Sequence, residues 1–246
     1  MKTTLSPKLV LFANKVAKIP LAKTLLKPFY YAYKERLKRK RNRAYKEHAL
    51  ETLADFDECM KRNGFEYTLI FGSMLGAVRE HGFIEHDLDI DVAMWKEDYT
   101  DGVQKSLEDS GFKLSHRHLI DDGQSAREET YVKNGVSIDL YCIYPPMDDY
   151  PYICSKWSPV ADAVTKQDSM KKYGYIIGKR LEMPIKKSII RVPFESITLP
   201  ITDNAEEVLA FYYGDDYMNP KPEWVESKEF PYRKLWADKR AIYIEN

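Results

Sequence analysis

Residues 69–94 read LIFGSMLGAVREHGFIEHDLDIDVAM, and this stretch decides the fold. Residues 67–71 have the make-up of a short buried strand, residues 73–81 of a short helix stopped at Gly82, and residues 90–94 of a second strand. A strand that runs through Gly72 and Ser73 into a helix is an ordinary turn and cap. It is also the outline of a phosphate cradle. Gly lets a ligand approach the backbone, and a serine hydroxyl at a helix N-terminus sits where the helix dipole favours an anion.

The acids that follow tilt the reading towards chemistry. Asp87, Asp89 and Asp91 are spaced two apart and interleave with Leu88, Ile90 and Val92. Side chains two apart in a strand share a face, so Asp89 and Asp91 are expected to point one way while Ile90, Val92 and Met94 enter the core. Neighbouring carboxylates repel unless a cation neutralises them, and a hard cation such as magnesium takes oxygen ligands. A calcium loop of the EF-hand kind is excluded because Val92 stands where its sharp turn requires Gly. A solvated acidic loop would not alternate with apolar residues. Downstream, residues 136–144 read as a strand whose one acid is Asp139. If that strand neighbours the first, three carboxylates converge, enough for two metal ions about 3.5–4 Å apart.

Outward from this centre, residues 45–63 show helical spacing closed by Asn63-Gly64, and residues 100–110 a helix closed by Gly111. Residues 112–118 and 129–133 read as strands; Asp203 is a candidate N-cap for a helix ending at Gly214. Residues 145–191 give no firm periodicity. The alternation implies an α/β (α+β) domain, a small mixed sheet flanked by helices. His116 and His118 would share a strand face, expected to be solvated. Trp95 is expected to pack in the core or at its rim. Tyr213 and Tyr217 could pack on the acidic strand or touch substrate.

The 246 residues fit one large domain with an appendage. With 44% hydrophobic and 31% charged residues, 11 Gly and 13 Pro, the chain is globular rather than low-complexity. Its 38 basic and 38 acidic residues cancel, yet residues 1–48 hold fourteen Lys or Arg against Glu35 and Glu47. This basic amphipathic helical extension, residues 1–44, is broken at Pro20 and Pro28 and suits either packing on the domain or peripheral contact with an anionic membrane. Specific nucleic-acid binding is not expected. Three cysteines without a C-x-x-C pair fit a reducing compartment, and no stretch is apolar enough to span a bilayer. A cytoplasmic chain, free or peripheral on the inner face of the membrane, is the expectation.

The segment GSMLGAVREHGFIEHDLDIDVAM resembles the signature of the LicD family of phosphotransferases, which includes phosphocholine transferases, is related to the catalytic domain of fukutin-related protein, and belongs to the polymerase β-like nucleotidyltransferase superfamily. VSIDLYCIYP resembles the family's later strand and ITLPITDNAEEVLAFYYGDDYMNP its closing segment, so the resemblance covers roughly residues 48–222. It implies that Asp89 and Asp91 are paired metal ligands, Asp139 the third carboxylate and a proton acceptor, and Gly72 and Ser73 the phosphate-binding turn. It places Asp87 among the substrate-binding acids and Arg79 in a basic stretch with His81, where a guanidinium suits phosphate. His86 and Leu88 depart from the family's usual Trp and third consecutive acid. The implied reaction uses magnesium, two ions, with manganese as a substitute. It moves phosphocholine or an alditol phosphate from a CDP-activated donor to a glycan or glycolipid acceptor. The rivals are nucleotidyl transfer with release of pyrophosphate and a non-catalytic scaffold.

Overall fold

The structure, a computed structural model, describes residues 20–85, 87–220, 232–236 and 238–246. The first element is a 43-residue helix, α1 (Pro20–Arg62). Its second half buries Tyr45, Ala49, Leu53, Phe56 and Met60, an apolar stripe at three- and four-residue spacing. It closes as the sequence predicts: Gly64 takes φ 69°, and the Phe65 N–H returns to the Met60 carbonyl at 2.9 Å. The expected interruption at the prolines does not occur. Pro20 is the first helical residue, where its missing N–H is no loss, and Pro28 is carried inside a run of strong helix formers at the cost of one backbone hydrogen bond. Residues 1–19 of the basic extension lie outside the described residues.

A six-stranded sheet forms the centre. It is built from β1 (Thr68–Leu69), β2 (Ile90–Trp95), β3 (Lys113–Ile120), β4 (Ala126–Lys133), β5 (Val136–Ile143) and β11 (Ala241–Glu245), in the order β1-β2-β5-β4-β3-β11. Only β2 and β5 run parallel; the other neighbours are antiparallel, which makes the sheet mixed. Ile90, Val92 and Met94 are buried, as the alternation predicts. Strand β1 is shorter than expected. The Ile70 N–H already bonds to the Asp91 carbonyl at 3.1 Å, and Phe71, at φ 51°, turns the chain into α2 (Phe71–Arg79). Helix α3 (Asp101–Asp109) follows β2, and α1 packs against β5 and α3.

Residues 145–191, which show no periodicity, hold β6 (Tyr152–Ser158), α4 (Lys166–Tyr173), β7 (Ile177–Glu182) and the start of β8 (Ile189–Phe194). Helix α4 is capped in the ordinary way: Thr165 Oγ1 accepts the Asp168 N–H, and Gly174 closes the helix at φ 77°. Strands β8 and β9 (Ile197–Thr202) form a hairpin, followed by α5 (Ala205–Tyr213). Asn204 rather than Asp203 precedes α5. Its side chain does not cap but bonds Thr202 Oγ1, the Lys186 N–H and the Pro184 carbonyl. The C-terminal tail is structural. Strand β10 (Arg233–Leu235) joins β7 and β6 in a second sheet, and β11 closes the main sheet against β3. Cys59, Cys142 and Cys154 are buried thiols, and no described helix is long and apolar enough to cross a membrane.

Candidate active site

Two hydrogen bonds stitch the start of α2 to the start of β2. One is the Ile70 N–H to the Asp91 carbonyl; in the other, Ser73 Oγ accepts the Asp91 N–H at 2.9 Å. Phe71 holds a left-handed φ that costs a non-glycine residue about 1 kcal/mol or more, and it sets the direction of the helix. Gly72 and Ser73 therefore lie in the first turn, where N–H groups lack intrahelical acceptors, rather than ahead of it. Gly72 must be Gly. A Cβ there would fall 1.9 Å from an Asp87 carboxylate oxygen, so Asp87 lies directly over this turn.

Asp91 and Asp139 are direct Cα partners across the parallel β2–β5 pair and project from the same face. The strand adjacency on which the three-acid expectation depends is thus present. Burial pushes the Asp91 carboxyl well above the usual carboxylate range, and the charges of Asp139, Asp87, Asp89 and Glu128 push it further. Asp87 is also raised, by burial first and then by Asp89, while the backbone N–H groups of Asp89 and Leu88 favour its ionised form. Two half-buried carboxylates side by side, with two more acids near enough to act on them, have the oxygen-donor chemistry of a hard divalent cation site. Among the described residues no group of three His, Cys, Asp or Glu side chains is drawn to ligand spacing, so a third ligand beside the pair is not in place.

The same face carries two cross-strand rows. The first runs Asp91, Asp139, Thr130, His116 over β2, β5, β4 and β3. Thr130 Oγ1 donates to Asp139 Oδ1 at 2.6 Å and lies 3.2 Å from His116 Nε2. The second runs Ala93, Tyr141, Glu128, His118, Tyr243. His118 is not on a solvated face: it is buried, stacked on Trp157 at 4.9 Å, and set between Glu128 and Lys166. The reason is that β11, invisible to the sequence reading, lays Tyr243 over both histidines. Burial opposes ionisation of Glu128, but His118, the Trp157 N–H and Lys166 outweigh it and hold the carboxyl at about 2.

Tyrosines wall the acids. Tyr141 Oη reaches Asp91 Oδ1 at 3.5 Å, and burial together with the charge of Asp91 raises Tyr45, Tyr141, Tyr212 and Tyr213. A cavity of about 280 Å³ beside Asp87 is lined by Tyr45, Ala49, Leu50, Phe83, Ile84, Leu88 and Glu195, among others. Arg79, expected on phosphate, has protein partners. Its Nε bonds Glu80 at 2.8 Å and its Nη1 the Tyr217 carbonyl at 3.2 Å, bracing α2 against the segment after α5. Tyr213 lies near the acids, and Tyr217 and Trp95 pack half-buried against the core. Thr130, Tyr141, Tyr45 and Tyr212 escaped the sequence reading. For Thr130 a signal existed, since it shares the face of Glu128 by simple alternation.

The family described as LicD/FKTN/FKRP, nucleotidyltransferase domain, matches residues 64–204, more than half of the chain. That span contains every acid named above and both rows as far as β3, and it ends before α5, β10 and β11. No curated protein matches the chain.

Proposed function

Because this chain belongs to the LicD/FKTN/FKRP nucleotidyltransferase-domain family, which marks it as a transferase, we propose that it transfers a substituted phosphoryl group to a glycan. In this reading phosphocholine or an alditol phosphate leaves a CDP-activated donor for a sugar hydroxyl of a glycan or glycolipid precursor, and CMP is released. The observation that carries the reading is the side-by-side pairing of Asp91 with Asp139, both half-buried. Asp91 and Asp139, with Asp89 as third acid, are the residues that would hold magnesium, or manganese in its place. Such a cation, when bound, polarises the donor phosphorus and stabilises the leaving phosphate.

The chain's own groups do the rest. The amides of Gly72 and Ser73, at the positive end of α2, receive donor phosphate oxygens once Asp87 swings off Gly72. Asp139, held by Thr130, accepts the proton of the attacking hydroxyl. Tyr45, Tyr141, Tyr212 and Tyr213 exclude water, which strengthens every charge interaction inside. Arg79 braces the end of α2 against the segment after α5.

The test is phosphorus NMR of the full chain with magnesium, a CDP-choline or CDP-alditol donor and a glycan acceptor. CMP and a phosphodiester product are expected. Pyrophosphate formed from a nucleoside triphosphate would assign nucleotidyl transfer instead, and inertness towards every CDP donor would overturn the reading.

The basic extension has a separate proposed role. Arg36, Arg39, Lys40 and Arg43 are exposed on the part of α1 that precedes its buried stripe. They suit peripheral contact with an anionic membrane at the inner face, which would bring the site to a glycolipid acceptor.

A further inference from the structure

We propose that Thr130 and His116 are positioning residues for Asp139, coupled to it by one directed chain of hydrogen bonds. An ionised carboxylate can only accept, so the single hydroxyl proton of Thr130 goes to Asp139 Oδ1, 2.6 Å away. The Thr130 oxygen is then left as an acceptor, and the group in reach is His116 Nε2 at 3.2 Å, which must carry a proton. Ser115 Oγ, 3.3 Å from His116 Nδ1, faces the other ring nitrogen. The chain therefore has one direction, imidazole to hydroxyl to carboxylate, and it fixes Oδ1 as the Asp139 oxygen that Thr130 engages.

The backbone is shaped for this contact. The β3–β4 register shifts between Leu114 and His116, so that Leu114 pairs with Tyr131 while His116, not Ser115, pairs with Thr130. A bulge of this kind re-aims a side chain to the opposite face, and without it His116 would face away from the acids. Strand β11 then locks the ring. Tyr243 lies 5.5 Å from the His116 ring, Glu245 is the Cα partner of His116, and the Asn246 N–H bonds the carbonyl of Ser115 inside the bulge. Thr130 itself is buried. A segment beyond the family match thus supports the carboxylate at the centre of the site.

The inference relies on the proposed reading only for the cation that Asp139 would face. It is tested on the full chain without substrate, by Mn²⁺ titration followed by EPR and by ¹⁵N spectra of the imidazoles. Thr130→Val should weaken Mn²⁺ binding by about ten- to a hundredfold, the usual cost of losing a group that orients a metal ligand. Thr130→Ser should keep wild-type affinity. His116→Leu should weaken binding and His116→Gln, which retains an N–H donor, should restore it; this pair decides the matter if Thr130→Val fails to fold. Wild-type affinity in Thr130→Val and His116→Leu, with Asp139→Asn defective, would overturn the proposal. If the wild-type chain binds no Mn²⁺, the cation reading falls and the spectra alone decide. A proton on His116 Nε2 supports the directed chain, and a bare Nε2 overturns it.

Discussion

The central sheet carries carboxylates on both faces, and Glu129 on β4 and Asp91 on β2 live by opposite rules. On one face Glu129 is wholly buried yet accepts from Tyr99 Oη at 2.9 Å, Tyr131 Oη at 2.6 Å and Arg127 Nη1 at 2.7 Å. Everything its charge needs is supplied by the fold. On the other face Asp91 meets Asp139, Asp87 and Asp89, so its strongest neighbouring charges are like charges. A fold gains nothing by assembling such a group for itself. The contrast separates a carboxylate neutralised by the core from carboxylates whose neighbours are like charges.

The comparison is sharpest in activity. Replacing Asp91 or Asp139 by Ala is expected to cut turnover by about a hundred- to a thousandfold, the scale of losing one electrostatic group in a site, while the melting curve persists. Glu129→Gln should do the reverse. It breaks a buried charged network, so stability should fall by about 3–5 kcal/mol in denaturant titration while turnover per folded molecule is kept. Loss of turnover in Glu129→Gln at full folding would erase the distinction between the faces.

Acid and base separate the two kinds of group more gently. Asp91 is raised in the fold, so its contribution to stability is complete below its ordinary value of 3.8 and is lost as pH rises through the folded value. Melting in chelator should therefore decline with rising pH, Asp91→Asn should flatten that decline, and magnesium should reverse it. Glu128 is lowered to about 2, so its contribution is present above its ordinary 4.5 and is lost as pH falls from there towards 2. Glu128→Gln should remove that acid limb of the curve and leave the other. The smallest expected effect is at the periphery: vesicles with anionic lipid should bind the full chain, less so as salt rises, and deletion of residues 1–44 should abolish the binding. Unchanged binding after the deletion would end that role.

How far the sequence could be read follows from where the information lies. Asp89, Asp91 and Asp139 are legible because alternation with Ile90, Val92, Ile138 and Leu140 betrays a half-buried strand. The second half of α1, α3 and α5 announce themselves through apolar spacing and glycine stops. What could not be read depends on pairing at a distance. The solvated histidine face of the expectation is buried because residues 241–245 return to β3, a contact with no local signature. The bulge at Ser115 is likewise set by register, not by composition. Arg79 was expected on phosphate for its chemistry, but the neighbouring Glu80 and the chain after α5 hold it. Helix α4 is different, because Thr165, Asp168 and Gly174 are ordinary caps hidden within a stretch rich in lysine and tyrosine.

The central claim is that Asp91 and Asp139 together form a cation site on the face opposite Glu129. The most direct measurement is anomalous diffraction from crystals of the full chain soaked in Mn²⁺. The account predicts a peak bridging the Asp91 and Asp139 carboxylates and absent from Asp139→Asn crystals. A peak that persists without Asp139, or an empty space between the two carboxylates at saturating Mn²⁺, would contradict it.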